Sequence, residues 1–415
     1  MTKSFLFHRA ALFLLLCFTL LAGPARANPS AHTTPPPLVL ISLDGFRWDY
    51  CLKHPDETPN LRKLIRAGVT AQRLIPVFPS NTFPNHYSIV TGLYPTHHGI
   101  INNYMTDAST GDVFFYKSAR SVHDSQWWGG EPIWITAVRQ ARKSACYFWV
   151  GSEAMNHGLR PTFWSPYDYS IPFAKRLETL VGWLRLPEAE RPAIITFYFE
   201  ETNSAGHTYG PDSPELVATV KLLDGHIGAM VDRLRTENLP VNYVIVSDHG
   251  MTDTSVQRVM ILEDYIDLTS VQVDFTGSVA GLRPLDCDTA ALLAKLTLLP
   301  HARVYRTEEL PAGLHMATTS RTPTVWILPQ EGWHLLRRAE FEKMRNRYLK
   351  GDHGYDPSLP SMGALFIAQG PSFKEGVTIE AVENIHIYNL LCAALGLTPA
   401  PNDGDDRLVR ATLRE

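Results

Sequence analysis

The sequence predicts an α/β fold: a three-layer sandwich in which helices cover a mostly parallel central sheet, with a small inserted lobe. The first observation is a set of short, continuous apolar runs, which are typical of strands buried on both faces. These runs are Leu38–Leu43, Ala145–Val150, Ala193–Phe199, Tyr243–Ser247 and Ala364–Ala368. The second observation is that helical patterns lie between them. Strands that alternate with helices favour a parallel sheet sandwiched by helices.

Four segments between the runs have the pattern of helices. The first begins at Thr58-Pro59, with proline at a first helical position, and ends near Ala67, where a glycine follows. The other three are Pro132–Arg142, Pro214–Arg235 and Asn384–Leu395. The alternation fails over residues 283–350, which we interpret as a lobe inserted into one domain spanning residues 38–400. Residues 401–415 are expected to form a C-terminal tail.

The composition is that of an ordinary globular protein. The 415 residues include 38 Lys+Arg and 42 Asp+Glu, and 45% are hydrophobic. These values exclude a disordered chain, a collagen-like fibre and a disulfide scaffold. The five cysteines form no CxxC motif, and the sequence does not choose a disulfide pairing among them. A formal charge of −4 without a basic run argues against nucleic-acid binding, so we expect no binding of nucleic-acid duplexes.

The N-terminal residues predict a secretory signal peptide over residues 1–27. Two basic residues flank the start of an apolar run from Ala10 to Ala22, and Ala25-Arg26-Ala27 has the small-x-small pattern of a cleavage site. The run is too short to span a bilayer comfortably, which favours cleavage over a signal-anchor. We therefore expect an exported protein, periplasmic or secreted, with no stable membrane anchor and an exposed leader over residues 28–37.

Aspartate and histidine residues recur next to the predicted strand ends. Asp44 follows the first strand, and Asp248-His249 follows the fourth. His207 lies after the third strand, and His353 lies before the fifth. Taken singly, each has a structural explanation as a helix cap, a turn former or a solvated loop residue. Ligands of open α/β sheets bind beyond the carboxyl ends of the strands, so the recurrence favours one metal site. Mixed carboxylate and imidazole ligands suit Zn²⁺ better than Mg²⁺ or Ca²⁺.

Thr82 stands at the start of a predicted helix, Phe83–Val90. Its hydroxyl has a simple interpretation as a helix N-cap. A helix N-terminus also favours an anion, and a hydroxyl beside metal cations can become a nucleophile that carries a phosphoryl group. The residues alone leave both interpretations open.

Seven segments together resemble the nucleotide pyrophosphatase/phosphodiesterase family, which belongs to the alkaline phosphatase superfamily. They are Leu43-Asp-Gly-Phe-Arg47, Thr82-Phe-Pro-Asn-His86, His98-Gly99 with Asn103, Gly130-Glu-Pro-Ile-Trp134, Gly206-His207, Ser247-Asp-His-Gly-Met251 and Gly351-Asp-His-Gly-Tyr355. Their order matches the family's, and the similarity extends from about Leu38 to Leu395. The resemblance implies an alkaline phosphatase-like catalytic domain.

The resemblance also implies two Zn²⁺ ions. The residues that match the first metal site are Asp44, Thr82, Asp248 and His249. Those that match the second are Asn203, His207 and His353. One of these positions departs from the family pattern, which has aspartate where this chain has Asn203. An amide oxygen can ligate a metal but carries no negative charge, so occupancy of the second site is in question. Glu200 and Glu201 are the candidates to compensate.

The implied reaction is hydrolysis of phosphodiester or pyrophosphate bonds of nucleotides through a phosphothreonine intermediate. Thr82 matches the nucleophile, and Asn103 matches the side chain that hydrogen-bonds a non-bridging phosphate oxygen. Phe83 and Tyr167 resemble walls that stack on a nucleobase, and core packing is the alternative role for both. The expected partner is therefore a small nucleotide or another phosphodiester.

Two other functions stay open on the sequence. A phospholipase C-like enzyme acting on choline phosphodiesters would share the catalytic core and replace the base-stacking walls with an aromatic or acidic cage. A low-activity protein that binds metal or nucleotide is the other alternative, and Asn203 is its main argument.

Overall fold

The computed structural model describes residues 34–285 and 287–415, so the predicted signal peptide and most of the leader lie outside the described residues. Residues 35–415 form one compact unit. Its central sheet has eight strands. Their order across the sheet is Val377–Ile379, Val69–Ala71, Phe366–Gln369, Asn242–Val246, Leu38–Leu43, Pro192–Phe199, Lys143–Tyr147 and Phe163–Ser165. The predicted fold class is confirmed.

The strand Phe366–Gln369 runs antiparallel to both of its neighbours, whereas every other pairing in this sheet is parallel. The apolar run predicted this strand but carried no information about its direction, which depends on the path of the chain before it. The run Ala145–Val150 also ends early as a strand. Phe148 adopts a positive φ of 61°, which takes the backbone out of the extended conformation after Tyr147.

Two hydrophobic cores lie on opposite faces of the sheet, because side chains alternate along each strand. Leu38 and Leu40 point into the first core, and Val39, Ile41 and Leu43 point into the second. The helices over the first core are Thr82–Thr91, Ile133–Arg139 and Ile387–Leu395. Those over the second are Pro59–Ala67, Phe173–Leu184 and Pro214–Arg235. These layers are the predicted sandwich.

The predicted helices Pro59–Ala67 and Pro214–Arg235 have the bounds that their local signals indicate. The helix predicted from Pro132 ends at Arg139 rather than Arg142, since Ala141 adopts a positive φ of 57°. The remaining α-helices of the described residues are Tyr50–Lys53, Pro95–His98, Ala119–His123, Glu201–Tyr209, Thr289–Leu296, Arg338–Met344 and Arg407–Thr412. The last lies in the predicted tail, and its Leu408 is buried in the first core.

A four-stranded antiparallel sheet covers much of the segment that we interpret as the lobe. Its order is Val271–Phe275, Ala280–Pro284, Val325–Pro329 and Ala302–Arg306. Leu282, Leu292 and Ile327 lie in its own core. The sheet begins before residue 283, and the lobe boundaries themselves stay a prediction.

Four short strand pairs complete the structure. They are Leu74–Ile75 with Val382–Glu383, Tyr104–Thr106 with Val113–Phe115, Thr252–Asp253 with Gly351–Asp352, and Val259–Ile261 with His334–Leu336. Within the described residues, no helix is both long enough and apolar enough to cross a membrane. The four cysteines in this part of the chain are unpaired.

Candidate active site

Asp44 and Asp248 meet at the carboxyl ends of two adjacent parallel strands. Leu38–Leu43 and Asn242–Val246 pair in register, so the residues that follow them reach the same edge of the sheet. The backbone N–H of Gly45 donates to Asp248 Oδ1 at 3.1 Å. His249 completes the group: its Nε2 lies 2.9 Å from Asp248 Oδ2 and 3.5 Å from Asp44 Oδ1. We call Asp44, Asp248 and His249 the first cluster.

The first cluster is buried, and the protein compensates the charge of Asp44 poorly. The side chains of Asp44 and Asp248 are 1% and 0% exposed. Asp44 Oδ1 and Asp248 Oδ2 have no hydrogen-bond partner among the described residues. Burial and the Asp248 carboxylate raise the pKa of Asp44 well above its ordinary value. Burial also acts to raise the pKa of Asp248, but the imidazoles of His249 and His86 hold it well below its usual range. Such a buried acidic pair has the chemistry of a cation site.

Thr82 begins the helix Thr82–Thr91 beside the first cluster. Its Oγ1 lies 3.3 Å from His249 Nε2. Asn81 occupies the N-cap position and makes no side-chain cap bond, so Thr82 is the first helical residue rather than the cap. One turn later, His86 is fully buried, with its Nδ1 3.2 Å from Asp248 Oδ2 and its Nε2 2.8 Å from Ser42 Oγ. The helix start therefore presents a hydroxyl directly to the buried carboxylates.

Asn85 fixes the segment that leads into this helix. Its Oδ1 accepts hydrogen bonds from the Val77 N–H at 2.7 Å and from Asn384 Nδ2 at 2.9 Å. Its Nδ2 donates to the carbonyl of Asn81 at 2.8 Å. Asn85 is fully buried. These bonds satisfy backbone groups that an irregular buried segment would otherwise leave unpaired, so they hold Thr82 in place.

A second cluster consists of His207, Asp352 and His353, whose ligand atoms all lie within 4.8 Å of one another. His207 Nδ1 bonds the Gly351 carbonyl at 2.9 Å, and His353 Nδ1 bonds the Ser80 carbonyl at 2.9 Å. A carbonyl only accepts, so each Nδ1 carries the proton and each Nε2 is left as an acceptor. Burial lowers the pKa of His353 well below its ordinary value, and the imidazoles of His249 and His207 lower it further.

The two clusters are adjacent. The rings of His249 and His353 stack with their centroids 3.5 Å apart, and those of His207 and His353 are 5.1 Å apart. His249 also donates its Nδ1–H to a carbonyl, that of Gly250 at 2.8 Å. All three imidazoles therefore have Nε2 available, which is the arrangement that orients histidine for a metal ion.

Asn203 lies against the turn that follows Asp44. Gly45 has a φ of +67°, and a Cβ there would lie 3.2 Å from Asn203 Cβ, so this approach requires glycine. Asn203 Oδ1 is buried without a hydrogen-bond partner in the described part of the chain. Glu201 pairs with Arg176 at 3.3 Å, and neither Glu201 nor Glu200 joins the cluster of His207 in the residues described. Neither of the two glutamates that were candidates to compensate for Asn203 belongs to the second cluster.

Asn103 lies at the N-terminus of the Thr82 helix. Its Oδ1 accepts from the Phe83 N–H at 2.9 Å, which leaves the Asn103 amide NH₂ able to donate beside Thr82. Phe83 packs against Phe114 and Tyr116, with ring centroids 5.8 and 5.7 Å away. The Phe83 ring therefore contributes to core packing, which is one of the two roles that the sequence left open for it.

Tyr167 is 46% exposed and stands on the rim of the first cluster. Its ring packs edge-on against Tyr198 at 6.0 Å and Phe148 at 5.3 Å. The Tyr198 hydroxyl in turn donates to Asp44 Oδ2 at 2.5 Å. Tyr167 thus presents an exposed aromatic face, and the Tyr198 side chain connects it to the buried Asp44 carboxylate.

The family model described as type I phosphodiesterase/nucleotide pyrophosphatase matches residues 38–356. The chain belongs to this family. Among similar proteins, ectonucleotide pyrophosphatase/phosphodiesterase family member 1 of Homo sapiens is 39% identical over 389 residues, which cover 91% of this chain and 41% of that protein. A venom phosphodiesterase of Crotalus durissus collilineatus is 38% identical over 383 residues, which cover 89% of this chain and 45% of the enzyme. The chain spans less than half the length of these curated relatives.

Solved structures of family members match over 91% of this chain and all of theirs. Murine ectonucleotide pyrophosphatase/phosphodiesterase 5 superposes with a TM-score of 0.85 at 33% identity. An inactive threonine-to-alanine form of the murine protein, in complex with AMP, superposes equally well at 32% identity. These matches agree with the family resemblance and the superfamily fold expected from the sequence.

Three residues of this family site were missed by sequence reasoning. His86 lies inside a quoted segment, and its spacing of four from Thr82 places it on the same helix face. The sequence signal for Asp352 was its position directly before His353. Tyr198 gave no signal, because it lies within an apolar strand and meets Asp44 only through the pairing of the two strands.

Proposed function

We propose that the protein is a metal-dependent hydrolase that cleaves phosphodiester or pyrophosphate bonds of nucleotides, with Thr82 as its nucleophile. The observation that carries the proposal is the position of Thr82 Oγ1, 3.3 Å from His249 Nε2, beside two buried carboxylates. Membership of the family supports the reaction class. The inactive threonine-to-alanine relative in complex with AMP supports both the nucleophile and a nucleotide substrate.

The donor set fits two Zn²⁺ ions. Asp44, Asp248, His249 and Thr82 would hold the first, and Asn203, His207 and His353 would hold the second. The unpartnered oxygens of Asp44, Asp248 and Asn203, together with the free Nε2 atoms, are the groups that a cation would satisfy. Mixed oxygen and imidazole ligands are typical of zinc. Bound zinc lowers the pKa of a hydroxyl and stabilises negative charge that develops on phosphate oxygens.

In the proposed mechanism, the Thr82 hydroxyl gives its proton to solvent and Oγ1 attacks phosphorus. The bond from phosphorus to the leaving oxygen breaks as the new bond forms, and the leaving oxygen departs with the electron pair and is protonated by water. The product is a phosphothreonine, which water then hydrolyses to restore the hydroxyl. Asn103 donates its amide NH₂ to a non-bridging phosphate oxygen, where charge accumulates in the transition state. His86 and Tyr198 hold the carboxylates of Asp248 and Asp44 in place.

The substrate proposal depends on the aromatic side chains at the rim. Tyr167 offers an exposed face for a nucleobase, whereas Phe83 is packed among other rings and offers its remaining edge. Base–aromatic stacking tolerates any base, so we expect broad nucleotide use. A choline phosphodiester is the alternative substrate, and the assay below distinguishes the two.

We predict that Thr82→Ala lowers kcat on a nitrophenyl nucleotide diester by at least about a thousandfold, as loss of a nucleophile does. Thr82→Ser keeps the hydroxyl and should retain measurable activity. Nitrophenylphosphocholine and nitrophenyl phosphate serve as comparison substrates, and EDTA should abolish turnover. Full activity in Thr82→Ala would refute the mechanism. A preference for the choline diester would replace the nucleotide proposal, and failure to turn over any of the three would favour a binding protein.

Tyr167→Ala should raise KM for the nucleotide diester by at least about fivefold, since stacking contributes roughly 1–3 kcal/mol per base. The KM for bis-nitrophenyl phosphate, which has no base, should stay unchanged, as should kcat on both substrates. Tyr169→Ala is the matched control, because Tyr169 is 73% exposed and lies two residues away. Equal KM changes on both substrates would show that Tyr167 acts through packing and not through the base.

We also propose that the chain is exported and acts in the periplasm or outside the cell. Its relatives include venom phosphodiesterases and ectonucleotide pyrophosphatases. N-terminal sequencing of the exported protein should find Asn28 as its first residue. An intact Met1 in that fraction would contradict cleavage.

A further inference from the structure

Asp352 is a carboxylate beside the proposed second metal site, in a chain whose position 203 lacks the aspartate of the family pattern. Its Oδ1 lies 3.7 Å from His207 Nδ1, the nitrogen that bonds the adjacent Gly351 carbonyl. The side chain at 203 is a neutral amide whose Oδ1 has no partner in the described residues. The proposed second site therefore has no charged ligand. The Asp352 carboxylate lies on the far side of the His207 ring from that site.

The two clusters differ in charge. The first brings two carboxylates to one proposed cation. The second proposed site, formed by Asn203, His207 and His353, would surround a divalent cation with one amide and two neutral imidazoles, and buried charge without an opposite charge is unfavourable. A carboxylate placed beside the Nδ1–H of a ligating histidine raises the basicity of its Nε2 and orients the ring. Asp352 lies close to this position relative to His207, but its Oδ1 is 3.7 Å from Nδ1, too far for a hydrogen bond, so Asp352 acts on the ring through its charge.

Asp352 is held in place from both sides. Its strand, Gly351–Asp352, pairs with Thr252–Asp253, which follows the first cluster along the chain. Asp352 Oδ1 accepts from the His353 N–H at 2.9 Å, and Oδ2 lies 2.9 Å from Nε2 of the buried His334. The other ring nitrogen of His334 bonds the Tyr348 hydroxyl. A hydroxyl that donates to Nδ1 leaves Nε2 protonated and facing the carboxylate.

We infer that Asp352 supplies the negative charge that Asn203 cannot give to the second metal site, acting through His207 as a positioning residue with His334 as its support. The inference rests on the proposed metal-dependent function and adds a residue to it. Position 203 can then carry a neutral amide, because Asp352 keeps one negative charge on the opposite side of the histidine ring.

The test is zinc affinity, measured without turnover by chelator competition, with the metal content of each variant determined by mass spectrometry. The cycle consists of wild type, Asp352→Asn, Asn203→Asp and the double variant. Asp352→Asn should weaken the second site about 10–100-fold, the usual effect of losing such a partner. Asn203→Asp should restore most of that loss in the Asp352→Asn background and change the wild type much less.

Asp253→Asn is the matched control, because Asp253 is an exposed carboxylate on the paired strand. It should leave zinc affinity unchanged. Thermal unfolding in EDTA checks that each variant folds. If Asp352→Asn does not fold, His334→Gln tests the same support and should weaken the second site while Asp352 is kept.

The inference is wrong if folded Asp352→Asn binds zinc as tightly as the wild type does. It is also wrong if Asn203→Asp raises zinc affinity equally in the wild type and in Asp352→Asn. Unchanged affinity in His334→Gln would overturn it if Asp352→Asn is unfolded. These outcomes are distinct from failure of the proposed function, which is decided by the turnover of Thr82→Ala.

Discussion

Two carboxylates buried at the ends of adjacent parallel strands are the constraint on which the rest of the site depends. Asp44 and Asp248 reach one point because their strands pair in register, and water does not solvate them there. Burial of an unpaired anion costs several kcal/mol, so the Asp44 carboxylate either takes up a proton or needs positive charge beside it. The imidazoles of His86 and His249 lie against Asp248, and the pKa of Asp44 stays raised beside them. A bound cation would satisfy the arrangement, and in the proposed reaction it would also attract the phosphate of the substrate.

The surrounding residues follow from that requirement. His207, His249 and His353 each donate Nδ1–H to a backbone carbonyl, which directs Nε2 to the space between the clusters. Fixed rings of this kind lose little freedom when they bind a metal. The helix that starts at Thr82 adds a hydroxyl and, through Asn103, an amide donor. The buried network of Asn85 holds this helix start in position.

Local sequence signals made the positions of several helices and strands predictable. Proline and glycine mark the bounds of Pro59–Ala67, and the apolar run marks Leu38–Leu43, so both elements lie where the sequence places them. The direction of Phe366–Gln369 was not predictable, because it depends on how the chain returns to the sheet. The same holds for Tyr198 with Asp44 and for Asp352 with His334, which meet only in the folded chain. The sequence identified Asn203 as a departure from the family pattern, but it did not identify Asp352 as a neighbour of His207.

The central claim is that the two clusters hold two metal ions beside Thr82. It is tested most directly by an anomalous difference map, collected at the zinc edge from crystals grown with zinc. The account predicts two peaks, one among Asp44, Asp248 and His249 and one at the Nε2 atoms of His207 and His353. A map without peaks at both clusters, or with zinc only at surface residues, would contradict it.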